Sequence, residues 1–305
     1  MRDAPRFFKC QPQRGARALR EVALASAGGR CEKHCMPETR TLKAKLRAIL
    51  PPAFVALVRV LRRRRVLLGR YRTWAEARAA SKGYDDGAVF EKVLLATRAV
   101  VEGRAKWDRD GAVFDNGELN EPLLAVLRRI AGKEGGVLDL VDFGGALGST
   151  WRQHRLALAD VSEIRWRVVE QAHYVEAGKP FADSTLSFHR DLNSVLDEGG
   201  ASTLLLSSVL PYIESPRVLL ASAVVKGMRH IVIDRTSFAV DGQEQIVVQQ
   251  APAELGGGSY PCWLFNRVKL FEPMEGCYRL EREWQALDDV DPRAVYRGFH
   301  FERIA

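Results

Sequence analysis

Val137-Leu138-Asp139-Leu140-Val141-Asp142-Phe143-Gly144-Gly145-Ala146-Leu147-Gly148-Ser149 is the stretch on which the fold is read. Apolar residues dominate the first seven positions, as in a strand buried on both faces. The glycines that follow make a turn into a helix. At such a turn they permit positive φ and let a ligand come close to the backbone. In open parallel sheets, ligands bind beyond the carboxyl ends of the strands, where this turn lies. A dinucleotide fingerprint starting at Gly144 needs glycine at positions 146 and 149; Ala146 and Ser149 stand there instead, which disfavours NAD. No Gly-Lys-Ser/Thr follows, so the turn is not a P-loop. A purely structural glycine turn is the alternative.

Working outward, apolar strands are predicted over 166–170, Thr203–Ser207 and 230–234, with helices over 151–159, 174–181 and 216–226. Strands alternating with helices imply a mainly parallel sheet covered on both faces. Segments 278–287 and 296–303, separated by a turn with Asp291-Pro292, are expected to close it as an antiparallel pair. Upstream, 74–101 has helical spacing broken near Gly83, and 106–120 is rich in turn residues. Pro122 then opens a helix that ends at Gly132. The domain reading is therefore an extension over 1–39, a basic amphipathic segment over 40–72, a helical part over 73–132 and an α/β domain over 133–305.

Glu170, at the end of its strand and 22 residues after Gly148, is placed to accept hydrogen bonds from vicinal ribose hydroxyls. A solvated strand end is the alternative. The run Leu204 to Tyr212 passes from an apolar strand into Ser207 and Ser208 and then an aromatic ring, a suitable floor for an adenosyl group and a substrate.

Several ordered stretches resemble a bacterial family of class I-like S-adenosylmethionine-dependent methyltransferases that is often associated with surface-polysaccharide gene clusters. They are DFGGALGSTW from Asp142, VVEQAHYVEAG from Val168, LLLSSVLPYIESP from Leu204, IVIDRTSF from Ile231 and SYPCWLF from Ser259. YRTWAEARAASKGYDD from Tyr71 extends the resemblance upstream. It implies a Rossmann-like α/β sheet and S-adenosylmethionine as cofactor, with a glycan or glycolipid precursor as methyl acceptor. Carried over position by position, Asp142, Gly144, Gly145 and Gly148 would line the methionine and ribose portion. Glu170 would hold the ribose hydroxyls, and Ser207 and Ser208 would face cofactor and substrate. Ala146, where many class I enzymes carry glycine, departs from the pattern.

A hydroxyl acceptor needs a general base, because the protonated hydroxyl is a poor nucleophile. His173 and Asp234 are the candidates, and Tyr212, Tyr260 and Cys262 are candidates for the acceptor pocket. His173 could equally cap a helix, Asp234 could pair with Arg235, and Cys262 could be an inert core thiol. Two alternatives stay open: a methyltransferase-like binding module without turnover, and a Rossmann protein using another nucleotide cofactor.

The net charge of +8 hides an asymmetry: residues 1–72 hold 19 Lys/Arg against 4 Asp/Glu, and the remainder holds 27 against 34. Segment 40–72 has eleven basic residues and no acidic one, with helical apolar spacing on both sides of Pro51-Pro52. Such a stretch suits an anionic membrane surface, with nucleic acid as the weaker option and a solvated arm as the plain one. No run of about 18 apolar residues occurs. Five cysteines in 305 residues, at irregular spacing, point to a reducing compartment. Cys31-Glu32-Lys33-His34-Cys35 lacks a second ligand pair for structural zinc, so no metal is expected. The expected location is the cytoplasm, peripheral to the inner membrane face.

Overall fold

The computed structural model describes residues 66–82, 86–115, 119–251, 258–286 and 291–304. The chain divides into two units, Met1–Pro51 and Pro52–Ala305, and every described residue belongs to the second. The expectations for 1–39 and for 40–65 lie outside the described residues.

In chain order, strand β1 (Val66–Tyr71) leads to helices α1 (Trp74–Ala80) and α2 (Asp86–Val101). A short hairpin, β2 (Trp107–Arg109) and β3 (Ala112–Phe114), precedes α3 (Glu121–Lys133). Next come β4 (Val137–Phe143), α4 (Ser149–His154), β5 (Glu163–Val169), α5 (Ala172–Gly178), β6 (Leu186–His189), α6 (Leu192–Asp197) and β7 (Thr203–Ser207). The remainder is α7 (Pro216–Val225), β8 (His230–Ala239), β9 (Gln245–Gln250), β10 (Ser259–Leu264), α8 (Arg267–Phe271), β11 (Tyr278–Gln285) and β12 (Ala294–Arg303).

Seven strands form the central sheet in the order β11-β12-β8-β7-β4-β5-β6. From β8 to β6 the pairings are parallel, and β12 is antiparallel to both β8 and β11. The chain therefore builds the sheet outward from β4 in two directions, and the topological switch point lies between β4 and β7. This is a Rossmann-like order with the expected antiparallel closing pair.

Strand alternation explains the two-faced core. Leu204 and Leu206 of β7 pack on one face with Val141, Leu220, Ile231 and Ile233. Leu205 packs on the other with Leu138, Leu140, Trp166 and the buried stripe Leu123, Leu127 and Ile130 of α3. Successive side chains point to opposite faces, so a strand buried on both sides is apolar at nearly every position. Asn120 caps α3 by accepting from the Leu123 amide at 3.4 Å, with Pro122 in the first turn.

Three features differ from the sequence expectations. The region 106–120 contains the hairpin β2–β3, closed by Asp110 at φ +51 and by the stacked Trp107 and Phe114 rings. A second sheet, β1-β9-β10, is antiparallel and brings Val66–Tyr71 beside β9. The strand expected to end at Asp234 runs on to Ala239 through a bulge. Asp234 and Arg235 together face Gly298 of β12, between the pairs Ile233–Phe299 and Thr236–Arg297.

Candidate functional site

A cleft of about 640 Å³ opens beyond the carboxyl ends of β4, β5 and β7 and beside the bulge of β8. All four non-glycine residues with positive φ among the described residues (Asp110, Ala146, Ser208 and Arg235) line it. Such conformations cost about 1–3 kcal/mol each and concentrate where function demands them. Their gathering on one cavity marks it as the site.

The β4 end is built around Asp142, which is 1% exposed. Trp166 Nε1 donates to its Oδ2 at 3.0 Å, while Oδ1 is buried without a hydrogen-bond partner. Burial pushes the carboxyl up to about 7. The Trp166 hydrogen bond and the Arg235 charge oppose that rise, and the neighbouring Glu170 adds to it. The glycine turn closes over this carboxylate. A Cβ on Gly145 would sit 2.6 Å from Asp142 Cγ, and one on Gly144, where φ is +74, would sit 2.5 Å from Val209 Cγ2. The turn therefore needs glycine for close approach as much as for φ.

Glu170 follows β5 directly. Its Oε1 accepts from the Ala146 amide at 3.3 Å and its Oε2 from the Gln171 amide at 2.8 Å. Burial raises its proton affinity against those hydrogen bonds. Each carboxylate oxygen keeps a second lone pair for a ligand hydroxyl.

The hairpin side carries Asp108, 2% exposed and tied into a buried network. Arg152 Nη2 reaches Asp108 Oδ1 at 3.4 Å and Thr97 Oγ1 at 3.1 Å, while Arg152 Nη1 donates to the Leu147 carbonyl at 2.6 Å. One guanidinium thus fixes the glycine turn relative to the hairpin. Burial raises the proton affinity of Asp108, and Arg152 lowers it. The second sheet supplies Tyr260 and Pro261, α1 supplies Trp74 and Arg78, and Tyr212 follows β7. Buried Gln249 joins the two tyrosines: Tyr212 Oη donates to its Oε1 at 3.2 Å, and its Nε2 donates to Tyr260 Oη at 2.8 Å.

Neither a protein-family model nor a curated protein matches the sequence. Solved structures do resemble this one. The N-terminal domain of EvdMO1, crystallised with SAH and D-fucose, is 14% identical with a TM-score of 0.46, over 69% of this chain and 96% of that one. Magnesium protoporphyrin IX methyltransferase (ChlM) from Synechocystis PCC 6803, with bound SAH, is 12% identical with a TM-score of 0.42, over 70% and 100%. The glycopeptide N-methyltransferase MtfA complexed with sinefungin is 12% identical with a TM-score of 0.38, over 59% and 93%. Two of these three are methyltransferases. All three scores lie below 0.5, so the fold rests on the strand order and the site on its own geometry.

The structure brings Asp142, Gly144, Gly145, Glu170, His173, Ser207, Ser208, Tyr212 and Tyr260 together on the cleft. Gly148, at φ +85, caps α4 and is not among the residues that line the cleft. His173 is exposed and packs edge-on against Phe90, with ring centroids 5.0 Å apart. Asp234 and Cys262 are not among the residues that line this cleft. Asp234 is wholly buried and receives hydrogen bonds from Asn120 Nδ2 at 2.9 Å, Ser207 Oγ at 3.1 Å and Trp284 Nε1 at 3.0 Å. Cys262, two residues beyond Tyr260 on β10, is carried into a small core with Val247, Leu264 and Tyr296. The sequence reading missed Asp108, Gln249 and the cleft position of Arg235. A carboxylate opening the short motif Asp108-Arg109-Asp110-Gly111 was the visible hint for the first.

Proposed function

We propose that this chain binds S-adenosylmethionine at the β4–β5 end of the cleft and transfers its methyl group to a hydroxyl of a glycan or glycolipid precursor. The observation that carries the reading is a pair of carboxylates, the buried Asp142 and the half-buried Glu170, flanking a glycine turn at the switch point of the sheet. Asp142 has a buried, unpartnered oxygen, and the donor set is anionic where a sulfonium or ammonium group would sit. Those features fit the cofactor. Glu170 would hold the ribose hydroxyls, Asp142 would face the positive charge, and the glycine turn would admit the ligand close to the backbone.

When bound, the cofactor supplies an activated methyl group, so the protein has mainly to align a nucleophile with it. Tyr212 and Tyr260, locked by Gln249, together with Trp74, form an aromatic wall against which a sugar ring can pack. Of the groups on the cleft, Asp108 and His173 are our candidates to take the hydroxyl proton. Asp108 is desolvated and held by Arg152, and its burial raises its proton affinity, the direction that favours a general base. Asp234, committed to three donors, serves to position Ser207 and Arg235. The glycan acceptor rests on the resemblance of the quoted sequence stretches and on this cleft chemistry.

The test is transfer of isotope-labelled methyl from S-adenosylmethionine to a panel of soluble and lipid-linked glycan intermediates. Label in a glycan product, lost with Asp108→Asn or His173→Gln, supports the reading. Saturable cofactor binding without transfer to any glycan would move the assignment to a binding module.

A further inference from the structure

The bulge in β8 gives Arg235 a place that regular alternation would deny it. In an unbroken strand, adjacent side chains point to opposite faces. Here Asp234 and Arg235 share one side, with Arg235 Nε 3.8 Å from Asp234 Oδ2 and 3.5 Å from Ser207 Oγ. The bulge is enforced from β12. A Cβ on Gly298 would lie 1.9 Å from Trp284 Cε2, and Trp284 in turn donates to Asp234 Oδ1. Arg235 holds φ +49, which an arginine adopts only under such constraint, and its side chain, 11% exposed, lines the cleft. Bulges beside functional sites commonly re-aim a side chain in this way.

The ends of β5, β4 and β7 and the β8 bulge form a row of charge. Along the order β5-β4-β7-β8 the cleft presents Glu170, then Asp142, then Ser207 and Ser208, then Arg235. Asp142 senses both ends of the row: Glu170 raises its proton affinity and Arg235 lowers it. Neighbouring strands lie about 4.8 Å apart, so the row is of the length of one extended small molecule. Such a molecule should offer hydroxyls at one end, positive charge in the middle and an oxyanion at the far end. S-adenosylmethionine has that order, from ribose through sulfonium to the amino acid. Among the described residues lining the cleft, the Lys and Arg side chains are Arg78 and Arg235. Arg78 is 67% exposed and paired with Glu214. Arg235 is held at the β8 bulge, and a guanidinium fork matches a carboxylate geometrically.

We propose that Arg235 binds the α-carboxylate of S-adenosylmethionine and so fixes the orientation of its amino acid portion. The inference rests on the cofactor reading and adds to it a residue that the sequence treated only as a partner of Asp234.

Calorimetric titration of the full chain with S-adenosylmethionine and with its decarboxylated form, which lacks only the carboxylate, tests it. The wild-type chain should bind the intact cofactor at least about tenfold more tightly, as removal of a charge-assisted hydrogen bond implies. Arg235→Gln should bind both compounds alike, with affinity for the decarboxylated form within about twofold of wild type. Arg235→Lys, which retains the charge at the same backbone conformation, should keep part of the discrimination. Undiminished discrimination by Arg235→Gln, or equal weakening of both compounds, would overturn the assignment. Failure of the wild-type chain to bind either compound would instead remove the cofactor reading, and the assignment with it.

Discussion

Asp142→Asn should stabilise the ligand-free protein at neutral pH while weakening its hold on a cationic ligand. The Asp142 carboxyl is 1% exposed and its proton affinity is raised by burial from 3.8 to about 7. Ionising it in the folded state therefore costs on the order of 4 kcal/mol, at about 1.4 kcal/mol per decade. Because the folded value lies above the unfolded one, the folded state binds more protons between the two. Wild-type stability is thus undiminished below about pH 4, falls as pH rises to about 7 and is flat beyond. Asparagine cannot ionise, and its carbonyl can still accept from Trp166 Nε1 in place of Oδ2. Melting temperatures of both proteins without ligand, measured from pH 4 to 9, should coincide at the acid end. They should separate progressively to pH 7, with asparagine higher by up to on the order of 10 °C for a domain of this size. The same cost must be met by any cation that binds there, so wild-type affinity for S-adenosylmethionine should weaken below pH 7. A melting difference independent of pH, or asparagine less stable at pH 8, would refute the claim that a charged Asp142 is strained in the free site.

Gly298→Ala places a methyl group inside the Trp284 ring and disrupts the bulge that presents Asp234 and Arg235. It should cost more than about 3 kcal/mol in a urea titration, and a change below about 0.5 kcal/mol would contradict the packing. The basic segment before β1 lies outside the described residues, and its proposed role follows from its charge and apolar spacing. Replacing Arg62, Arg63, Arg64 and Arg65 by glutamine in the full chain should reduce binding to anionic vesicles at least about 100-fold, at about 1 kcal/mol per charge near the surface. Equal vesicle binding by both proteins, or salt-sensitive RNA binding in its place, would sink the membrane reading.

The parts legible in the sequence were those whose signal is local. β4 and the glycine turn could be read because a doubly buried strand is apolar at nearly every position and the turn needs glycine within a few residues. Glu170 followed from its spacing to that turn. What the sequence hid depends on distant partners. β9 reads as a short polar-flanked apolar run, Gln245-Ile246-Val247-Val248-Gln249-Gln250, and becomes a central strand only by pairing with Val66–Tyr71 and Ser259–Leu264. The hairpin strands beside Asp108 have three residues each, too few to show alternation. The re-aiming of Arg235 is decided by Gly298 and Trp284, some sixty and fifty residues further on. Asp234 looked like a base because it ends a predicted strand; the bulge and three donors bury it instead.

Binding of S-adenosylmethionine at the anionic, glycine-lined end of the cleft is decided by calorimetric titration of that compound into the purified full chain. The expected result is saturable binding to one site, abolished by Gly144→Arg and weakened at least about tenfold by Glu170→Ala, with both variants folded by circular dichroism. A folded wild-type chain that gives no binding heat, or two variants that bind as tightly as wild type, would contradict the account.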